Sequence, residues 1–337
     1  MKHLKYLFLG VLIMGLYSCS DDDPVISDDD NDTPQTVLAR LFVTSNTSDI
    51  ITELDFVAGT GIVPKNFTTG SNDNEGIFYD KENDFLVQAS RSQSVLNSYS
   101  NIESTEGGST LNLQFSSNPV LESPRDLAVN NEFYVVSDNA NDNGRFFVFT
   151  KDDTSFTLRN TITVNFPVWG IEFIGDDLYV VVDKSSDIAV FNNFLSATSD
   201  NTLEPNKRIT IEGINRTHGI AYDDGTLVLT DIGDAENDSD GGFQVISNFQ
   251  SKFDIVENGG TLGLIGDQVR VSGSFTKLGN PISVEYDKET RSIFIAERAN
   301  EGGKILIFDT IEAGGNLTPS FEINLEGASS LHFVDND

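Results

Sequence analysis

The sequence predicts an all-β fold: a six-bladed β-propeller of four-stranded blades, the last blade closed by strands from both ends of the chain. Three observations predict it. A short opening recurs six times, as Gly76-Ile-Phe-Tyr-Asp, Asp126-Leu-Ala-Val-Asn, Gly170-Ile-Glu-Phe-Ile, Gly219-Ile-Ala-Tyr-Asp, Ser283-Val-Glu-Tyr-Asp and Ser330-Leu-His-Phe-Val, at intervals of 50, 44, 49, 64 and 47 residues. Its second and fourth columns are apolar throughout, and a two-residue spacing is the period of a strand. Further strand-like runs follow each complete opening, and four-strand units of this length are the signature of propeller blades.

The chain begins outside that repeat. Residues 1–18 read as a signal peptide, with Lys2 and Lys5 as its basic start and LFLGVLIMGL (7–16) as an apolar core too short for a lasting membrane span. Leu16-Tyr17-Ser18-Cys19 resembles the bacterial lipobox, in which the cysteine becomes the lipidated first residue of the mature protein. Cys19 is the only cysteine in the chain, which also excludes internal disulfides and any CxxC metal or redox motif. Ser20-Asp21-Asp22-Asp23 resembles the surface-export signal of lipoproteins in the Bacteroidetes group. Residues 19–36 read as an acidic, disordered tether carrying seven Asp, so the address implied is the outer membrane, facing outward, with membrane contact through the lipid alone.

Formal charge is -32; without Lys2, Lys5 and the seven tether Asp it is -27. Such a surface repels nucleic-acid phosphates and anionic headgroups, so those partners are set aside. It suits cations, basic partners or solubility.

Residues 37–337 form the propeller. The second strands are DFLVQAS (84–90), EFYVVSD (132–138), DLYVVVD (177–183), TLVLTD (226–231) and SIFIAE (292–297). The third are VLNSYS (95–100), RFFVFT (145–150), IAVFNN (188–193), GFQVIS (242–247) and KILIFD (304–309). Two fourth-strand regions, TLEPNKRITIEG (202–213) and NLTPSFEINLEG (316–327), match in register. The sixth opening lacks followers. The missing strands stand at the other end, in ARLFVTSN (39–46), IITELDF (50–56) and a segment near Asn66. Gly, Ser or Asp heads each opening, as expected where backbones crowd. Nothing after the leader shows helical periodicity.

HGIAYDDGTLVLTD (218–231), with the Pro-containing fourth strands, resembles NHL-type six-bladed propellers and the senescence-marker-protein/gluconolactonase group over about residues 37–337. The fold hosts hydrolases, lyases and binding scaffolds alike. The gluconolactonase resemblance implies a calcium-dependent lactonase whose metal needs a Glu, an Asn and an Asp from different blades. Glu75 and Asp231 could stand in beside His218, but no channel Asn is evident.

The residues just before the openings share one rim with those at the ends of the second strands. This rim gathers Glu75, Arg125, Trp169, His218, Arg91, Asp138, Asp183, Asp231, Glu297 and Arg298. Pockets form at such a mouth. Carboxylates there could hold calcium, Arg125 or Arg298 could pair with an anion, and Trp169 could stack on a sugar. The competing reading is that Asp138, Asp183 and Asp231 only bond backbone amides in the turn. The third column adds Glu172, Glu285 and His332 as a polar layer below the mouth. It is either a water-filled channel lining or an acid/base pair, since adjacent carboxylates raise one another's pKa.

In the long fourth interval, Glu236-x-Asp238-x-Asp240-Gly241 partly matches a calcium loop, but Ser247 stands where the twelfth-position Glu belongs. Asn139-x-Asn141-x-Asn143-Gly144 repeats the pattern without charge. Two His remain after the leader, too few soft ligands for zinc, and no GxSxG, Walker or dinucleotide fingerprint occurs in context. The reading is a surface-tethered, non-enzymatic module that binds a small molecule, a glycan or a protein. The alternatives are a calcium-dependent hydrolase or lactonase, and an accessory subunit of an outer-membrane uptake complex.

Overall fold

The computed structural model describes residues 36–140, 143–309 and 311–336. The leader, Cys19, the tether to residue 35, and Asn141 lie outside them. Six sheets follow the repeat, four of them with four strands and two, in blades three and four, with a fifth, parallel outer strand. The first blade joins the C-terminal strand Ala328–Asp335, innermost, to Val37–Ser45, Ile50–Val57 and Gly61–Thr68. Leu41 sits opposite Phe333 across the chain ends, so the ring closes by main-chain pairing. The inner strands of blades two to six are Asn74–Asp80, Pro124–Asn130, Val168–Ile174, Ile220–Asp223 and Pro281–Asp287. The second strands of blades two to six all run back toward the mouth.

The two apolar columns fill the space between blades. Ile171 joins Phe146, Val148, Val180 and Phe191 in one interblade cluster, and Ile220 joins Trp169, Leu227, Leu229 and Ile246 in the next. The crowded first column does more than permit close approach. Ser330 Oγ accepts from the Gly76 amide (2.7 Å) and Asp126 Oδ2 from the Ile171 amide (2.9 Å); where the residue is Gly170, its own amide donates to the His218 carbonyl (3.0 Å). Successive inner strands are therefore stitched together around the axis.

The outer edges are managed too. Asn201–Thr202 leaves blade four and pairs in parallel with Phe156–Thr163 of blade three. Thr261–Leu262 of blade five does the same to Lys207–Ile211 of blade four. Single parallel bridges, Thr68 to Thr110 and Val271 to Gly315, repeat the device on blades one and five. Covered edges offer no template to another chain.

Contrary to the sequence expectation, a helix is present, at Phe249–Ile255. Seven residues are too few to show a period, yet Phe249 and Phe253 stand at the i, i+4 spacing of one helical face. Both rings bury, each 5.5 Å from Tyr179. No helix among the described residues is long and apolar enough to cross a membrane.

A charged cluster sits within the closing blade, reaching blade two. Glu53 and Asp55 are buried side by side. Arg40 Nε approaches Glu53 at 3.2 Å and its Nη1 reaches Glu103 of blade two at 2.8 Å, while Lys65 Nζ lies 2.6 Å from Asp55.

Candidate functional site

The inner strands of blades two, three, four and six are bulged near their upper ends, where the ladder register shifts. A bulge re-aims side chains, and the residues before the openings turn toward the axis. Glu75, Arg125, Trp169, His218, Ile282 and Ser329, one from each blade, meet there.

They close the mouth. The Trp169 and His218 rings stack 3.6 Å apart at 5°, and the Arg125 guanidinium carbon lies 4.2 Å from the Trp169 ring centre. Two groups that close cannot share one face, so the indole is sandwiched. Stacking on a sugar, expected of Trp169, is thereby closed to it; only its edge remains. On the other side of the axis, Glu75 accepts from Arg91 (3.3 Å), Asn46 (3.4 Å) and Ser329. Burial raises the Glu75 carboxyl, against the pull of Arg91.

His218 is held by Asp183, whose Oδ1 is 3.1 Å from Nε2. A carboxylate only accepts, so Nε2 carries the proton. Burial, helped by Arg216 and Arg125, pushes the imidazole down to about 4 against the opposing pull of Asp183, so the ring is neutral at physiological pH. Burial pushes Asp183 the other way, but His218 and Arg216 outweigh it and hold the acid below the usual carboxylate range. Arg216 grips Asp183 Oδ1 through Nε (2.9 Å) and Nη2 (2.8 Å), Asn139 Nδ2 donates to Oδ2 (3.1 Å), and the Lys184 amide donates at 2.7 Å. Above this stack lies an open pocket of about 450 Å³ lined by Arg125, Asn139, Ala140, Trp169, Asp183, Lys184 and Arg216.

Below it lies a chamber of about 180 Å³. Glu172, Glu285 and His332 all line it, with His332 Nδ1 3.8 Å from Glu285 and its ring 4.9 Å from Phe78. Asp126 joins them, a residue the sequence reading passed over. Its signal was an acid in a column otherwise Gly or Ser. Burial raises it to about 7, with Glu285 and Glu75 adding to the push. Burial, then Glu285 and Asp126, raise the Glu172 carboxyl well above its ordinary value.

The remaining rim residues do other work. Asp138 accepts from the Glu122 and Ser123 amides and from Arg145 (2.7 Å). Asp231 accepts from the Asn215, Arg216 and Gly233 amides and from Arg270 (2.8 Å). Glu297 accepts from the Gly279, Asn280 and Ala299 amides. Each of these three acids ties the end of a second strand to the loop entering its own blade; Asp183 instead takes only the adjacent Lys184 amide and otherwise bonds side chains. Arg91 turns inward to Asp73 and Glu75, whereas Arg298 is exposed and lines neither cavity. Glu75 and His218 both line the chamber, whereas Asp231 lines neither cavity. Glu236 and Asp238 are exposed, and Asp240 Oδ2 accepts from the Asp234 amide. No group of three or more acids, His or Cys that could hold a metal occurs among the described residues. Asp231→Asn should lower unfolding free energy by about 2 kcal/mol, since buried donors lose their ionised acceptor. Urea denaturation checks it, and an unchanged midpoint would refute the latch.

No family model matches the sequence, and no curated protein matches it. Among solved structures, a nidogen/laminin complex chain superposes with a TM-score of 0.59 at 12% identity, covering 88% of this chain and 98% of that one. A provisionally assigned 6-phosphogluconolactonase from Bacteroides fragilis gives 0.59 at 14%, covering 93% and 100%. Its counterpart from Bacteroides uniformis gives 0.57 at 14%, covering 88% and 99%. At these identities the likeness establishes the fold alone.

Proposed function

We propose that the protein is a cell-envelope lipoprotein, outward-facing on the outer membrane, whose propeller binds a ligand or partner and does not turn it over. The observation that carries this reading is Arg125. Its guanidinium sits on Trp169 at the floor of an open polar pocket, and none of the described residues accepts a hydrogen bond from it. The groups around it are locked by mutual bonds, which is preorganisation for binding. The rim acids have their oxygens engaged, and His218 is buried, stacked on Trp169 and bonded to Asp183 through Nε2, which leaves its Nδ1 as the one unbonded ring nitrogen beneath the pocket.

Topology supports outward display. Val37–Ser45 runs up toward the mouth, so the domain's first described strand starts at the end of the ring opposite the pocket, which fits a domain anchored from that end. Cys19→Ser should move the protein from the membrane to the soluble fraction on cell fractionation; retention at the wild-type level would defeat the lipoprotein reading. Thermal-shift screening of the full-length protein against neutral sugars, organic acids and peptides tests binding. Absence of any stabilising compound in that set counts against it.

One observation favours a second reading. The chamber sets Glu172, its carboxyl raised well above the ordinary value by burial, beside Asp126, an arrangement suited to acid/base hydrolysis. The lactonase assignment of two structural neighbours points the same way. Lactone hydrolysis lost in Glu172→Gln would establish it over the first.

A further inference from the structure

We propose that the pocket above blades three and four seats a small monoanion, a carboxylate on a compact polar molecule, with Arg125 as its counter-ion. This rests on the binding reading and narrows it.

The charges at the pocket do not cancel locally. Asp183 is fully engaged: the Arg216 fork, Asn139, the Lys184 amide and His218 take its two oxygens. Arg216 is correspondingly committed. Among the described residues Arg125 has no such acid. Its Nε is buried without an acceptor, and no ion pair reaches it from the described residues. Burial and the nearby Arg91 both disfavour its charge, with Glu75, Asp183 and Asp138 compensating only at a distance. A guanidinium left so in a molecule with -27 on its domain is an unusual surplus of positive charge.

The shape of the surplus selects the ligand. A guanidinium fork matches a planar carboxylate, with two parallel N–H···O bonds. Both faces of Trp169 are covered, so recognition runs through charge and hydrogen bonds and not through ring stacking. The acidic domain repels anions at long range in proportion to their charge. A phosphate ester near pH 7 carries about twice the charge of a carboxylate and meets about twice the repulsion. One unpaired guanidinium beneath an opening of about 450 Å³ suits a single compact monoanion.

Trp169 is the only tryptophan in the chain and touches Arg125, so its emission reports the site directly. Full-length protein is titrated with acetate, lactate, D-glucuronate, D-glucose and inorganic phosphate. The carboxylates should change Trp169 emission saturably, D-glucose should not, and phosphate should bind more weakly than the carboxylates because of its larger charge repulsion. Arg125→Gln should weaken carboxylate binding at least about tenfold, with Arg125→Lys intermediate. Unfolding midpoints confirm that both variants are folded. No carboxylate response, a phosphate response as strong, or carboxylate binding unchanged in Arg125→Gln would overturn the proposal. If D-glucose binds equally well, the anion inference falls and the binding reading stands; if no compound in the thermal-shift screen binds either, both fall.

Discussion

Gly170→Ala should destabilise the protein by about 3 kcal/mol, at the upper end for overpacking a rigid site. An added Cβ would lie 2.4 Å from the His218 carbonyl oxygen and 3.0 Å from Ile220 Cγ2. The first obstacle is backbone of the next inner strand, which cannot rotate away as a side chain could. The Gly170 amide donates to that same oxygen, so relief of the clash also stretches a stitch between blades four and five. Gly175→Ala is the control. Nothing lies within 4 Å of its added Cβ, and the cost is that of a left-handed residue at φ +64°, about 1 kcal/mol. Urea midpoints for the pair decide it, and equal shifts would show that inner-strand crowding is not what requires glycine at 170. Because Trp169 is the preceding residue, its emission should also shift in Gly170→Ala and stay put in Gly175→Ala.

That residue pair shows how far the sequence reached. The repeat, the strand faces and the two-ended blade follow from column chemistry, because burial between blades leaves a two-residue period in each strand. Crowding at the head of each opening was legible as Gly and Ser. What those positions bond was not, because the partner strand is some fifty residues away and its register is a three-dimensional fact. The same limit governs the mouth. Glu75, Arg125, Trp169 and His218 could be placed on one rim by counting strands. The sandwich that closes the rim depends on bulges that shift side chains by a fraction of a turn, and no local signal marks them. Arg216 and Asn139 lie in connections whose path the repeat does not define. The helix at Phe249–Ile255 was hidden by its shortness. In TELD (52–55), Glu53 and Asp55 share one strand face, yet only the neighbouring blade makes that face buried.

Those two acids support the remaining large effect: Glu53→Gln should stabilise the protein at neutral and alkaline pH. Burial, reinforced by the adjacent Asp55, raises the Glu53 carboxyl to about 8. Burial works against Asp55 too, but hydrogen bonds from Glu53 and Lys65 outweigh it and lower that acid. The pair thus shares one proton, carried on Glu53, while Lys65 pairs with ionised Asp55. An acid raised in the folded state binds its proton more tightly there than in the unfolded chain. Its stabilisation is complete below the unfolded value near 4.5 and is lost as pH rises toward 8. At pH 7 the loss from Glu53 alone approaches roughly 3 kcal/mol at 1.36 kcal/mol per unit. Glutamine keeps the shape and a donor without the proton to lose. The variant should therefore match wild type near pH 5, where a weaker bond to Asp55 offsets the small early loss, and exceed it by about 3 kcal/mol at pH 8. Asp126, raised to about 7, slopes in the same sense in both proteins, so the difference between them is the quantity to measure. Urea unfolding at pH 5, 6, 7 and 8 supplies it. A difference that stays flat across that range would mean that Glu53 is ionised in the fold and that Arg40 and Lys65 hold it as an ordinary ion pair.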